Sequence, residues 1–138
     1  MQIIRKEQLE FALSKNYRQY LTGHLKTPQP DLSHIDDDIE VGMSLYESYT
    51  ADKPHIHPVC TEHGYVLEGA VRILLLDGSN ETYEVSKGDF FVIKPGIPYV
   101  SKNLPGTHIL FVKSPAMNDK TLIDVDENTS KWMASWNG

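Results

Sequence analysis

A single cysteine, Cys60, stands in a chain of 138 residues, so no disulfide can close within it and nothing in the cysteine usage points to an oxidising compartment. Long apolar runs are missing as well. None is longer than Ile73 to Leu76, far too short to span a bilayer. The opening residues, Met1-Gln2-Ile3-Ile4-Arg5-Lys6-Glu7, have no apolar run after their basic residues and no small-residue cleavage site, which makes a soluble cytoplasmic protein the expectation. Basic charge is in deficit: 13 Lys and Arg against 19 Asp and Glu leave a net charge of −6. That balance works against attraction to phosphate backbones or anionic lipid, so neither nucleic acid nor a membrane surface is an expected partner.

What is present is ordinary for a folded domain. Hydrophobic residues make up 40% of the chain and charged residues 23%, far from the low-hydrophobicity signature of disorder. The length suits one domain that buries its own core.

Residues 6 to about 22 place apolar side chains at Leu9, Leu13, Tyr17 and Tyr20 to Leu21, spaced near three and four, with Gly23 just beyond as a stop. This spacing predicts one amphipathic helix. Lys26-Thr27-Pro28-Gln29-Pro30-Asp31 then reads as an extended connector, and the run Asp36-Asp37-Asp38 as a solvated loop without a regular ligand pattern. From residue 40 the texture changes to short β-prone segments punctuated by Gly, Pro, Asp and Asn. The expected strands are Val41 to Tyr49, Pro54 to Pro58, Tyr65 to Glu68, Val71 to Leu76, Thr82 to Val85, Phe90 to Ile93, Tyr99 to Lys102 and Thr107 to Lys113. Asp77-Gly78-Ser79-Asn80 supplies residues that tolerate positive φ and reads as a hairpin turn. Many short strands at roughly ten-residue spacing imply an all-β sandwich or barrel. Three regions follow: 1–39 as helix and connector, 40–113 as the β domain, and 114–138 as a tail. Trp132 and Trp136 are four apart there, fit to share one helical face that packs on the β domain or on a partner subunit.

The chemistry concentrates at residues 55 to 62. His55 and His57 are separated by one residue, so on a strand both side chains leave the same face and approach one point. Glu62 follows five positions later through Pro58-Val59-Cys60-Thr61, whose proline helps turn the chain back. Two imidazoles and a carboxylate form a facial set suited to a divalent iron, manganese, nickel or zinc ion, with coordination positions left open.

These residues, continued by His63-Gly64-Tyr65-Val66-Leu67-Glu68-Gly69, resemble the first motif of the cupin family. The pattern reads His55, one residue, His57, four residues, Glu62, six residues, Gly69, with Tyr49 where the family usually has a glycine. The second motif resembles Gly88-Asp89-Phe90-Phe91-Val92-Ile93-Lys94-Pro95-Gly96-Ile97-Pro98-Tyr99 and closes at Asn103, with Lys94 in place of the first proline. The resemblance covers about residues 40 to 113. It implies a small antiparallel β-barrel of jelly-roll type, one metal ion in the barrel mouth held by His55, His57 and Glu62, a small-molecule substrate, and a homodimer.

Tyr99 stands where the family has its remaining ligand histidine. Three roles are open to it: a phenolate ligand, since a nearby cation favours deprotonation of a group that otherwise titrates near ~10; a protonated hydroxyl that serves bound substrate; or an aromatic wall beside an open coordination site. His108 alternates with Leu110 and Val112, so it either faces the barrel interior with them, as a ligand or catalytic group, or interrupts an apolar face. Arg72 shares a face with Leu74 and Leu76 and either meets an anionic or hydroxylated substrate or caps a sheet edge. His63 points away from Glu62 on an extended strand, Cys60 reads as an inert buried thiol as readily as a metal neighbour, and His24 and His34 fall in connectors with no pattern.

An open metal position in a walled cavity polarises a carbonyl, activates water or binds dioxygen. Tyr99 favours proton transfer on a small polar metabolite, a sugar or an oxoacid, by isomerase or lyase chemistry. An iron-dependent dioxygenase with His55, His57 and Glu62 as its triad is the alternative enzyme. A non-catalytic small-molecule or carbohydrate-binding module is the alternative outside catalysis.

Overall fold

The computed structural model describes residues 1–138. A short helix, α1 (Lys6–Lys15), leads into eleven strands: β1 (Arg18–Thr22), β2 (Glu40–Tyr46), β3 (Thr50–Ala51), β4 (His55–Ile56), β5 (Thr61–Glu68), β6 (Ala70–Leu75), β7 (Thr82–Ser86), β8 (Phe90–Ile93), β9 (Tyr99–Asn103), β10 (Thr107–Ser114) and β11 (Thr121–Leu122). A second helix, α2 (Glu127–Ala134), follows them. The strands form two antiparallel sheets, ordered β1-β2-β10-β5-β8 and β11-β4-β9-β6-β7, with β3 paired to β9. This is the all-β architecture with an N-terminal helix that the strand spacing implies. No helix is long and apolar enough to cross a membrane.

The expected helix over residues 6 to 22 is corrected: it stops at Lys15, and Asn16 already has extended backbone. Arg18 to Thr22 pairs instead with β2 as an edge strand. Arg18 and Tyr20 turn inward toward the cavity, while Gln19 points outward and bonds the Ala12 carbonyl beneath α1. Leu9, Tyr17, Tyr20 and Leu21 fit a helical spacing, but over five residues an alternating pattern fits as well, and pairing to β2 decides.

The hairpin between β6 and β7 forms at Asp77-Gly78-Ser79-Asn80. Gly78 and Asn80 both take positive φ, and Asp77 accepts the Ser79 N–H. An apolar core of Tyr46, Val66, Val71, Ile73, Val85, Ile93, Tyr99 and Ile109 joins the inner faces of the two sheets. Around it the inward positions turn polar. On β2 the buried residues are Glu40, Gly42, Ser44 and Tyr46, while Val41, Met43 and Leu45 occupy the outer face. Gly42 and Gly64 are small because aromatic rings lie across them: a Cβ on Gly42 would meet the Phe111 ring at 2.2 Å, and one on Gly64 the Phe91 ring at 2.2 Å. Those two rings line a cavity of about 130 Å³ between the sheets.

The tail covers the outer face of the second sheet. Lys102, fully buried, donates to the carbonyls of Trp132 (2.7 Å) and Ser135 (2.9 Å) and sits 4.1 Å from the Trp132 ring centre. Arg72 donates to the Trp136 carbonyl at 2.6 Å and stacks on that indole at 4.1 Å. Two cations thus meet the C-terminal end of α2, where the helix dipole is negative.

Candidate metal centre

The donor set arises from register. His55 on β4 lies directly opposite Tyr99 on β9, so the two side chains share a face at one point of the second sheet. Glu62 enters from the other sheet, at the start of β5, paired to Ile93 and Lys113. His57, two residues after His55, reaches the same point from the turn that joins the sheets. The ligand atoms of His55, His57 and Glu62 all lie within 4.8 Å of one another. Three donors that share one face of an ion at about 2.1 Å stand roughly 3.0 to 3.6 Å apart, so closure by about an ångström brings these three to a common centre.

Both imidazoles are held from behind. His55 Nδ1 lies 2.7 Å from the Lys53 carbonyl, and His57 Nδ1 lies 2.7 Å from Asp119 Oδ1. Each Nδ1 therefore carries the proton it donates, and each Nε2 presents a lone pair inward. Tyr99 has one proton, which it gives to Glu62. Its oxygen then faces His55 Nε2 at 3.0 Å, and His57 Nε2 stands 3.6 Å from Glu62 Oε2, lone pair against lone pair. Acceptors gathered with a proton too few are the electrostatic condition a cation relieves, and the residues fit a divalent ion on that ground. Desolvation lowers the His55 pKa despite the Lys53 hydrogen bond. Burial, followed by the Glu62 charge, pushes the Tyr99 hydroxyl well above its ordinary value.

Asp119 has no spacing signal in the sequence. It arrives from the segment after β10 and accepts from Val59 N–H (2.9 Å), Cys60 N–H (2.8 Å) and the His57 ring. Burial opposes its ionisation, but these donors outweigh that and hold its carboxyl well below the usual carboxylate range. Arg18 and Asp52 form a second polar group deeper in the cavity. Arg18 donates to Ser44 (3.1 Å) and to Tyr46 (3.0 Å), and Asp52 accepts from Tyr46 and Ser101 at 3.1 Å each. Burial works against the Arg18 charge, yet Tyr46 and Asp52 outweigh it and keep the guanidinium firmly protonated.

Two expected site residues lie elsewhere. His108 sits on the outer face of β10, since Ile109 and Phe111 are the neighbours that line the cavity, and its Nε2 is buried without a partner. Arg72 also faces outward, held by Glu84 (2.8 Å) and the Trp136 carbonyl. Both expectations rested on taking the face shared with Leu74 or with Leu110 as the interior one. On these two strands both faces are apolar, and it is Val71 and Ile73 on β6 and Ile109 and Phe111 on β10 that line the cavity. Cys60 is buried against the Pro115 carbonyl, its thiol pushed up to about 11 by burial, and it lies outside the donor set. His63 faces outward, its ring 5.9 Å from that of Phe90.

Residues 43–111 match the family model described as a cupin domain. The chain is similar to germin-like protein subfamily T member 3 of Arabidopsis thaliana, 29% identical over 116 residues that cover 66% of this chain and 51% of that protein. It is also similar to germin-like protein 5-1 of Oryza sativa subsp. japonica, 32% identical over 130 residues, 79% of this chain and 58% of that protein. The chain thus spans about half the length of the curated relatives it matches. Among solved structures it is similar in fold to KdgF from Halomonas sp., with a TM-score of 0.54 and 23% identity over 74% of this chain and 80% of that one. Oxalate decarboxylase from Bacillus subtilis shares the fold at a TM-score of 0.54 and 18% identity, over 63% of this chain and 24% of that one.

Proposed function

The chain belongs to the cupin domain family, and on that footing we propose that it is an enzyme in which His55, His57 and Glu62 hold one divalent metal ion beside a small-molecule cavity. The observation that carries the reading is the convergence of two imidazole lone pairs, a carboxylate and the Tyr99 hydroxyl on one point, with both ring Nδ1 atoms tied back. When bound, the ion polarises an oxygen of the guest. The chain's own part is proton transfer. Tyr99 Oη holds the proton to be moved, and the Glu62 carboxylate, which accepts that hydroxyl in the structure, fixes where it points. The aromatic rings of Phe91 and Phe111 wall the cavity, and its small volume suits a metabolite of a few heavy atoms rather than a polymer. The reaction class this supports is isomerisation or elimination on a small polar oxoacid or sugar.

Metal analysis of freshly purified protein tests the reading, with His57→Ala and Tyr99→Phe alongside. Wild type is expected to carry close to one equivalent of manganese, nickel or zinc. His57→Ala should lose most of it, whereas Tyr99→Phe should keep metal and lose turnover by about a hundredfold or more, the usual worth of a positioned acid–base group. A full equivalent of metal in His57→Ala would overturn the ligand assignment. Iron, with oxygen uptake by the ferrous protein, would replace proton transfer by dioxygenase chemistry. We also propose a homodimer: Tyr65, Phe90 and Val92 leave an apolar patch on the outer face of the first sheet, 40%, 61% and 41% exposed, which sedimentation velocity would find covered in a species of twice the chain mass.

A further inference from the structure

The charges around the cavity count the guest. Six ionised side chains line it: Arg18, Lys113 and Lys120 against Glu40, Asp52 and Glu62. Two of the cations are already matched. Lys113 lies 3.1 Å from Glu40 with both side chains about nine-tenths buried, and Arg18 lies 3.6 Å from Asp52 while bonding Ser44 and Tyr46. Lys120 is different. It makes no ion pair and no side-chain hydrogen bond, although it lines the same cavity as Glu62 and His55. The residue is exposed, so it lines the cavity while still meeting solvent; partial burial and then the Arg18 charge lower its pKa, with Asp52 and Glu62 acting the other way.

Three cations and three carboxylates cancel, so a divalent ion leaves the lining with two positive charges. Asp119 offsets at most one of these, because it stands behind His57, outside the lining, with its oxygens taken by backbone N–H groups. A cavity with surplus positive charge and one unpaired ammonium disfavours a neutral guest relative to an anion of the same shape.

We propose that the guest is a small carboxylate, and that Lys120 is the residue that selects it, pairing with the acid group while the metal takes an adjacent oxygen. This rests on the metal reading above and narrows it, from sugar or oxoacid to the acid. Neither Lys120 nor Arg18 falls within the stretch that matches the family model, residues 43–111. The selecting charge is therefore supplied by the chain's own flanking segments, β1 and the segment between β10 and β11.

The test uses the full chain loaded with Mn²⁺, with glycolate and lactate as probes and their neutral amides as shape-matched controls, read by isothermal titration calorimetry. The acids are expected to bind at least about tenfold more tightly than the amides, the order of one charge contact near a protein surface. Lys120→Gln should weaken acid binding by about tenfold, leave amide binding within about twofold, and leave Mn²⁺ affinity within about threefold. Equal binding of acid and amide, no acid binding at millimolar concentration, or an unchanged ratio in Lys120→Gln overturns the proposal. A separate Mn²⁺ titration keeps the two readings apart: if wild type takes up Mn²⁺ and the acid preference is missing, only the carboxylate assignment falls. If wild type takes up no Mn²⁺, the metal reading falls and the surplus charge goes with it.

Discussion

At the scale of single residues the centre depends on a side chain that ligates nothing. Asp119 fixes the ring of His57, and through Val59 and Cys60 it also fixes the turn that carries His57 toward Glu62. Asp119→Ala is expected to lower stability by about 2 kcal/mol in a metal-free urea titration, because two backbone N–H groups and one ring N–H lose their acceptor together. It should also weaken metal binding by about tenfold to a hundredfold, the usual effect of removing such a partner behind a ligand histidine. A variant with unchanged urea midpoint and unchanged metal affinity would show that the turn orients His57 unaided. The convergence of His55, His57 and Glu62 was legible from the sequence because their spacing of two and five keeps them within one turn of chain. Asp119 and Lys120 were not, since their place in the site is set by a return of the chain across 62 residues between His57 and Asp119. His108 and Arg72 were misplaced for a related reason. Alternation reports which residues share a face but not which face is inside, and on β6 and β10 both faces carry apolar residues, so the pattern alone could not choose.

At the scale of elements, the strands of residues 40 to 114 were nearly all legible, and the two-residue strands β3 and β11 were not, being too short to show a period. The connector between β1 and β2 carries more order than its composition suggests. Thr22 and Ile35 form a parallel bridge, and His24 clasps the acidic run from both ring nitrogens, 2.6 Å from Asp36 and 2.8 Å from Asp38. Those hydrogen bonds, Asp38 first and then Asp36, raise the His24 pKa above its ordinary value. A raised value means that the clasp contributes stability below the unfolded pKa of about 6.5 and loses it as the pH climbs through the folded value. The connector is fully exposed there, so the contribution is small and salt-sensitive. By NMR, the His24 titration midpoint is expected above 6.5 at low ionic strength, and to fall toward 6.5 in the double variant Asp36→Asn, Asp38→Asn. A midpoint at or below the ordinary value in wild type would show that the clasp does not persist in solution.

For the whole molecule, folding and metal binding draw on the same geometry. The proposed ligands come from both sheets, His55 from one and Glu62 from the other, so an ion held by them would tie the sheets together across the cavity. The unfolded chain gathers this set more weakly, because the three side chains are held together only when β4 and β5 are folded into opposite sheets. An ion that binds the native state alone stabilises it by RT ln(1 + [L]/Kd), about 2.7 kcal/mol at a hundredfold excess over Kd. For a domain of this size that amounts to a rise in Tm of roughly 10 °C. Calorimetric scans with and without saturating Mn²⁺ should therefore separate by about that amount in wild type and coincide in His57→Ala. His57→Ala also removes a buried ring and its hydrogen bond to Asp119, so the metal-free Tm of the variant should itself fall, and the Mn²⁺ shift is read within each protein. An equal Mn²⁺ shift in both proteins would mean that the ion binds elsewhere, with the exposed acidic run at Asp36 to Asp38 the first place to look.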